Sequence, residues 1–144
     1  MNKLREIRVD EVLVIEDDPI FSTLNAHLIK TSLGATCRIF EDASAAMNYL
    51  DDAKPNDGKK LILLDLNLPG MSGWDFLDAV AKKSYRDELV VIIITSSLFK
   101  EDKSRSKNYS QVIAYFTKPV KRNEFNDFLS NQSIIANKID GKEL

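Results

Sequence analysis

Glu16-Asp17-Asp18 directly follows the apolar run Val12–Ile15, and a lone acid, Asp65, follows Leu61–Leu64. Thr95 directly follows a further run, Leu89–Ile94, and Lys118 comes two residues after another, Val112–Phe116. If these runs are parallel strands, their ends share one rim and the side chains converge. Close carboxylates repel one another, and at least one pKa rises unless a cation intervenes. The chain has one histidine and one cysteine, so the available donors are oxygens and the cation is hard. Mg²⁺ suits them: it takes one or two protein carboxylates, keeps waters, and completes its shell with phosphate oxygens. Lys118 cannot bind a cation. Its ammonium, like the Thr95 hydroxyl, suits a phosphoryl oxygen. Glu16 and Asp17 are adjacent and fit a metal pair. Asp65, between Leu64 and Leu66, is the candidate nucleophile. Its attack on phosphorus would give an acyl phosphate, with Mg²⁺ and Lys118 spreading the transition-state charge.

The elements that must position these residues are legible from periodicity. Three of the runs are almost entirely Val, Ile and Leu, as strands buried on both faces of a parallel sheet require. A further run, Ala35–Phe40, contains Thr36, Cys37 and Arg38 and reads as an edge strand. Between the runs, apolar residues recur at helical spacing: Ile20, Phe21, Leu24 and Leu28; Ala43, Ala46, Met47 and Leu50; Phe76, Leu77, Val80 and Ala81; Phe125, Phe128 and Leu129. Asp18 before Pro19 suits a helix N-cap, and Gly34 suits a C-cap. Lys54-Pro55-Asn56-Asp57-Gly58 breaks the chain before the third strand. Leu98–Tyr109 has a polar middle, Lys100 to Lys107, and is predicted to be a short, weakly anchored helix. Five alternating strand–helix pairs make a doubly wound α/β sheet with helices on both faces, whose ligands sit at the carboxyl ends of the strands.

The pieces Val14-Ile15-Glu16-Asp17-Asp18-Pro19, Leu63-Leu64-Asp65-Leu66-Asn67-Leu68-Pro69-Gly70-Met71-Ser72-Gly73, Ile94-Thr95-Ser96 and Tyr115-Phe116-Thr117-Lys118-Pro119 together resemble the receiver domain of two-component response regulators. The resemblance implies a flavodoxin-like strand order 2-1-3-4-5. It makes Asp65 the phosphoacceptor, Glu16 and Asp17 the metal pair, and Asn67 a backbone-carbonyl ligand to Mg²⁺. Thr95 becomes the switch hydroxyl, Tyr115 the rotating aromatic, and Lys118 the phosphate-binding lysine with a cis bond to Pro119. The phosphodonor would be a sensor histidine kinase or a histidine phosphotransfer protein. Such a domain catalyses its own phosphorylation and dephosphorylation without being an enzyme in the ordinary sense. The Gly-Ala common before the fifth strand is replaced here by Ser110-Gln111.

Composition narrows the alternatives. Residues 1–130 would form the receiver; residues 131–144, with Ile134, Ile135 and Ile139, would extend the last helix or form a flexible tail, leaving no output domain. Five glycines, four prolines and 44% hydrophobic residues among 144 exclude collagen-like and low-complexity chains. A single cysteine, Cys37, excludes an internal disulfide. Met1–Asp10 lacks the apolar region of a signal peptide, and no run is long enough to span a bilayer. The expectation is a soluble, cytoplasmic protein, a monomer or weak dimer, acting on an unidentified protein target. Net charge is −2, which argues against DNA as a partner. The charge is uneven, however. Residues 98–124 carry seven basic and three acidic side chains, net +4, against 11 basic and 16 acidic in residues 1–97, net −5. A haloacid-dehalogenase-type hydrolase would place the nucleophile first in the chain as Asp-x-Asp, the reverse of the order here. A nucleotide or flavin binder would carry a glycine-rich phosphate loop, and none is present. A receiver-like module that only binds protein remains the third reading.

Overall fold

A computed structural model describes residues 6–52 and 58–137. The strands are β1 (Ile7–Val9), β2 (Glu11–Ile15), β3 (Arg38–Phe40), β4 (Lys60–Leu64), β5 (Leu89–Thr95), β6 (Val112–Thr117) and β7 (Ile134–Ala136). The helices are α1 (Pro19–Leu33), α2 (Ala43–Asp52), α3 (Gly73–Val80), α4 (Lys100–Ser106) and α5 (Arg122–Asn131). Five strands form one parallel sheet in the order β3-β2-β4-β5-β6. Counting these five alone, this is the 2-1-3-4-5 order that the family resemblance implies.

Alternation along the strands divides the core in two. Leu13, Ile15, Ile62, Leu64, Val91 and Ile93 pack with α2 and α3. Val12, Val14, Leu61, Leu63, Val90 and Ile92 pack with α1 and α5. Both faces are covered, which is why the central strands are apolar from Val12 to Ile15, Leu61 to Leu64 and Leu89 to Ile94. α1 begins at Asp18, whose side chain accepts from the Ile20 amide at 2.8 Å, and ends at Gly34 (φ 68°), whose amide donates to the Lys30 carbonyl. α3 begins with a reciprocal capping box between Ser72 and Asp75.

Two expectations need correction. The edge strand is shorter than Ala35–Phe40: only Arg38 to Phe40 pair with β2, opposite Leu13 to Ile15. Ala35 is buried in the core without joining the strand. Nor does the last helix continue through Ile134 and Ile135. It stops at Asn131, and Ser133 takes a left-handed turn (φ 55°). β7 then pairs in parallel with β1, Ile134 opposite Ile7, as a separate two-stranded sheet. Residues 54–57 of the expected break and Ile139 lie outside the described residues.

Candidate functional site

The parallel register sets the rim. The Glu16 amide donates to Phe40 O and the Asp65 amide to Ile15 O, so both acids leave the sheet at the same level. The Lys118 amide donates to Thr95 O at 2.8 Å, which ties the ends of β5 and β6. The Lys118–Pro119 peptide bond is cis. Gly73 opens α3 against the acid loop. A Cβ there would lie 2.5 Å from Asp65 O and 2.8 Å from Leu66 Cα, so only glycine lets the helix start this close.

The Lys118 ammonium lies 2.7 Å from Glu16 Oε1 and 3.1 Å from Asp65 Oδ2. All three side chains are nearly inaccessible, at 7%, 2% and 5% exposure. Glu16 Oε2 accepts from the Asp18 amide at 3.2 Å, and Asp65 Oδ1 from the Asn67 amide at 3.3 Å. Glu16 Oε1 has the ammonium as its ion partner but no hydrogen bond of good geometry. Burial pushes the Glu16 carboxyl above its usual range; Lys118 opposes this and the Asp65 charge adds to it. Burial also works to lower the Lys118 ammonium, but its two carboxylate partners outweigh it and raise the pKa.

Glu16, Asp17 and Asp65 each offer a carboxylate oxygen within 4.8 Å of the others, Asp17 from an exposed position. A buried carboxylate oxygen lacking a good hydrogen bond, two further carboxylates and no nitrogen or sulfur donor suit a hard divalent ion. The residues present therefore fit Mg²⁺.

Thr95 is fully buried, and its hydroxyl accepts from the Ser97 amide at 3.2 Å. Ser97 Oγ donates to Asp102 of α4 at 2.5 Å and accepts from the Phe99 amide at 3.3 Å. The Tyr115 hydroxyl is buried beside this pair without a well-formed hydrogen bond. Burial raises its pKa, Ser97 opposes that and the Asp102 charge adds to it.

Residues 12–130 match the response regulator receiver domain family. The chain belongs to that family. It is 34% identical over 85 residues to the nitrate/nitrite response regulator protein NarL of Escherichia coli (strain K12), an alignment covering 59% of this chain and 38% of NarL. It is 26% identical over 134 residues to the probable C4-dicarboxylate response regulator DctR of Bacillus subtilis (strain 168), covering 92% of this chain and 56% of that one. The chain thus spans less than two thirds of these relatives. Among solved structures, a two component response regulator from Cytophaga hutchinsonii superposes with a TM-score of 0.72 at 26% identity, covering 89% of this chain and 98% of that one. The bacteriophytochrome response regulator AtBRR gives 0.69 at 28% identity, covering 86% and 92%.

This receiver domain thus brings Glu16, Asp17, Asp65 and Lys118 into one cluster and puts Thr95 and Tyr115 on the neighbouring strands β5 and β6, of which β6 packs against α4. Sequence reading missed the Ser97–Asp102 link and the Phe21 ring, which lies 4.4 Å from the Lys118 ammonium. Phe21 reads simply as one apolar residue of a helical stripe. A serine two places after the strand-ending Thr95, with an acid five residues beyond it, is the signal available for the link.

Proposed function

We propose that this receiver domain accepts a phosphoryl group on Asp65, with Mg²⁺ held by Glu16, Asp17, Asp65 and the Asn67 carbonyl. The observation that carries the reading is the buried ammonium of Lys118 set against two of three clustered carboxylates. A buried arrangement with two acids per cation is poorly balanced for stability alone. It becomes balanced when a divalent ion and a phosphoryl group enter together.

Asp65 supplies a carboxylate oxygen to phosphorus while the bond from phosphorus to the donor's nitrogen or oxygen breaks. Lys118 stays on the acceptor oxygen side and neutralises charge that develops on the phosphoryl group. Bound Mg²⁺ would supply Lewis-acid neutralisation of phosphoryl oxygens. The donor, a sensor histidine kinase or histidine phosphotransfer protein, is read from the family together with the apolar rim. Ile20 and Leu24 on α1 are 70% and 51% exposed, beside a groove of about 200 Å³ that reaches Lys118 and Pro119. Such exposed apolar surface beside a polar centre suits a helical protein partner.

Purified protein given Mg²⁺ and a small phosphodonor is expected to gain one phosphoryl mass, seen by intact-mass spectrometry. EDTA and Asp65→Asn should each abolish it. An adduct persisting in Asp65→Asn would reassign the acceptor, and no adduct in the wild type would favour a module that only binds protein.

The phosphoryl group would draw the Thr95 hydroxyl inward, away from the Ser97 amide, and so release the Ser97–Asp102 link that holds α4. Tyr115 flanks that link and would respond to its loss. Affinity for the unidentified target should then rise by about 1–3 kcal/mol with beryllofluoride, a phosphoryl mimic. Thr95→Ala should shrink that gain. An undiminished gain in the variant would remove Thr95 from the relay.

A further inference from the structure

The Lys118 ammonium has a third neighbour that the phosphoacceptor chemistry does not require. The ring centroid of Phe21 lies 4.4 Å from Nζ, well within the range at which an aromatic face attracts a cation. Phe21 is half-buried on the first turn of α1, and its backbone is fixed there: Asp18 caps the helix, Pro19 sets the first helical residue, and the Ser22 hydroxyl donates to Pro19 O at 3.1 Å. The ring therefore occupies a place set by the start of the helix, and it lines the same groove as Lys118 and Pro119.

We propose that Phe21 is a positioning residue for Lys118: its aromatic face holds the ammonium at Asp65 when the Glu16 carboxylate turns to a metal ion. The inference rests on the phosphoacceptor reading above. In the present arrangement Glu16, at 2.7 Å, is the nearer of the two carboxylates to the ammonium. Glu16 is also a member of the acid cluster that fits Mg²⁺. One carboxylate cannot serve both cations at full strength, so metal binding weakens the closest contact Lys118 has. The flexible four-carbon stem of lysine would then let the ammonium wander toward solvent. An aromatic ring attracts the ammonium without competing for the metal, because it offers no lone pair. A leucine of similar bulk would fill the same place but provide no such attraction.

The test compares Phe21→Leu, which keeps apolar volume, with Phe21→Tyr, which keeps the aromatic face. Beryllofluoride affinity in the presence of Mg²⁺ is read by fluorine NMR. Phe21→Leu is expected to weaken it on the order of tenfold, whereas Phe21→Tyr should stay within about twofold of wild type. Independently of metal and phosphoryl mimic, the Lys118 Cε protons should be shifted upfield by the ring current in the wild type and in Phe21→Tyr, and lose that shift in Phe21→Leu. Equal beryllofluoride affinity in wild type and Phe21→Leu overturns the proposal, as does an equal loss in both variants, which would mean that only shape matters. Lys118 proton shifts that ignore the substitution overturn it too. A wild-type protein that binds no beryllofluoride overturns the phosphoacceptor reading itself, and the proposal falls with it.

Discussion

α3 and α4 are nearly equal in length, eight and seven residues, yet they are attached by different chemistry. α3 buries Gly73, Phe76, Leu77 and Val80 and starts at a reciprocal capping box. α4 buries Ser106 alone, and no side chain of its N-cap residue, Phe99, satisfies its first amides. Leu98 and Phe99, which lead into it, are 84% and 71% exposed. What holds α4 is a set of polar and aromatic stitches. Ser97 donates to Asp102, and the Arg105 guanidinium lies 4.4 Å over the Trp74 ring. Trp74 stacks with Tyr109 at 5.8 Å, and the Tyr109 hydroxyl donates to Asp78 of α3 at 2.6 Å. Apolar burial resists exchange because its loss exposes area to water, whereas polar stitches can be traded for water or new partners at small cost. The helix next to Asp65 is thus anchored by apolar burial, whereas α4 is held by polar and aromatic contacts.

The sharpest way to break this contrast is to empty the α3 side. Phe76 is fully buried. Phe76→Ala is expected to cost about 4 kcal/mol of unfolding free energy, as truncation of a buried aromatic does. Urea unfolding should show a single transition shifted to lower midpoint. A loss below about 1 kcal/mol would mean that α3 is no better anchored than α4.

A smaller effect should come from the close approach at Gly73. An added methyl would meet backbone atoms, Asp65 O and Leu66 Cα, which cannot rotate away as a side chain can. Alanine is otherwise a better helix former than glycine. Gly73→Ala is nonetheless expected to destabilise by about 2 kcal/mol through overpacking, and, on the proposed chemistry, to slow phosphorylation because the strain falls on the loop that carries Asp65. A stabilised Gly73→Ala protein with unchanged phosphorylation would show that the loop yields freely.

These contrasts also mark what the sequence makes legible. Glu16, Asp17, Asp65, Thr95 and Lys118 can be read as one group because parallel strands bring their carboxyl ends to one rim, and each lies within two residues of the end of an apolar run. The sparse apolar content of residues 100–107 likewise anticipates a weakly buried α4. Contacts between elements far apart in the chain leave no periodic trace. Arg105 on Trp74 and Tyr109 on Asp78 are each separated by 31 residues, and their types alone suggest a solvated helix and a locally packed aromatic. β1 and β7 are three residues each and 127 positions apart in register. Ile134 and Ile135 therefore read as a continuing helical stripe until the left-handed turn at Ser133 is seen. The edge strand is misjudged at its start because apolarity marks burial, as at Ala35, and not pairing.

The smallest effect on stability is expected where the contrast is most specific, at Arg105. Its guanidinium over Trp74 is the one cation–π contact among the described residues that joins α4 to α3, and Arg105→Ala should cost only about 0.5–1 kcal/mol overall. The local consequence should be larger than the global one. With burial confined to Ser106, α4 lacks an apolar face to keep it docked once the stitch is cut. Amide hydrogen exchange in residues 100–106 should therefore accelerate strongly while α3 keeps its protection, because α3 depends on Phe76, Leu77 and Val80. Trp74 is the only tryptophan in the chain, so its emission reports directly on the loss of the guanidinium and on any change in the Tyr109 stack. Arg105→Lys should fall between the two, since an ammonium keeps the charge but lacks the flat surface that lies against the indole. Equal acceleration of exchange in α3 and α4 would show that the two helices open as one unit, and the difference in their anchoring would then have no dynamic meaning. Acceleration confined to α4, with urea midpoints nearly unchanged, would establish that the helix facing Thr95 and Tyr115 detaches on its own, which a local switch requires.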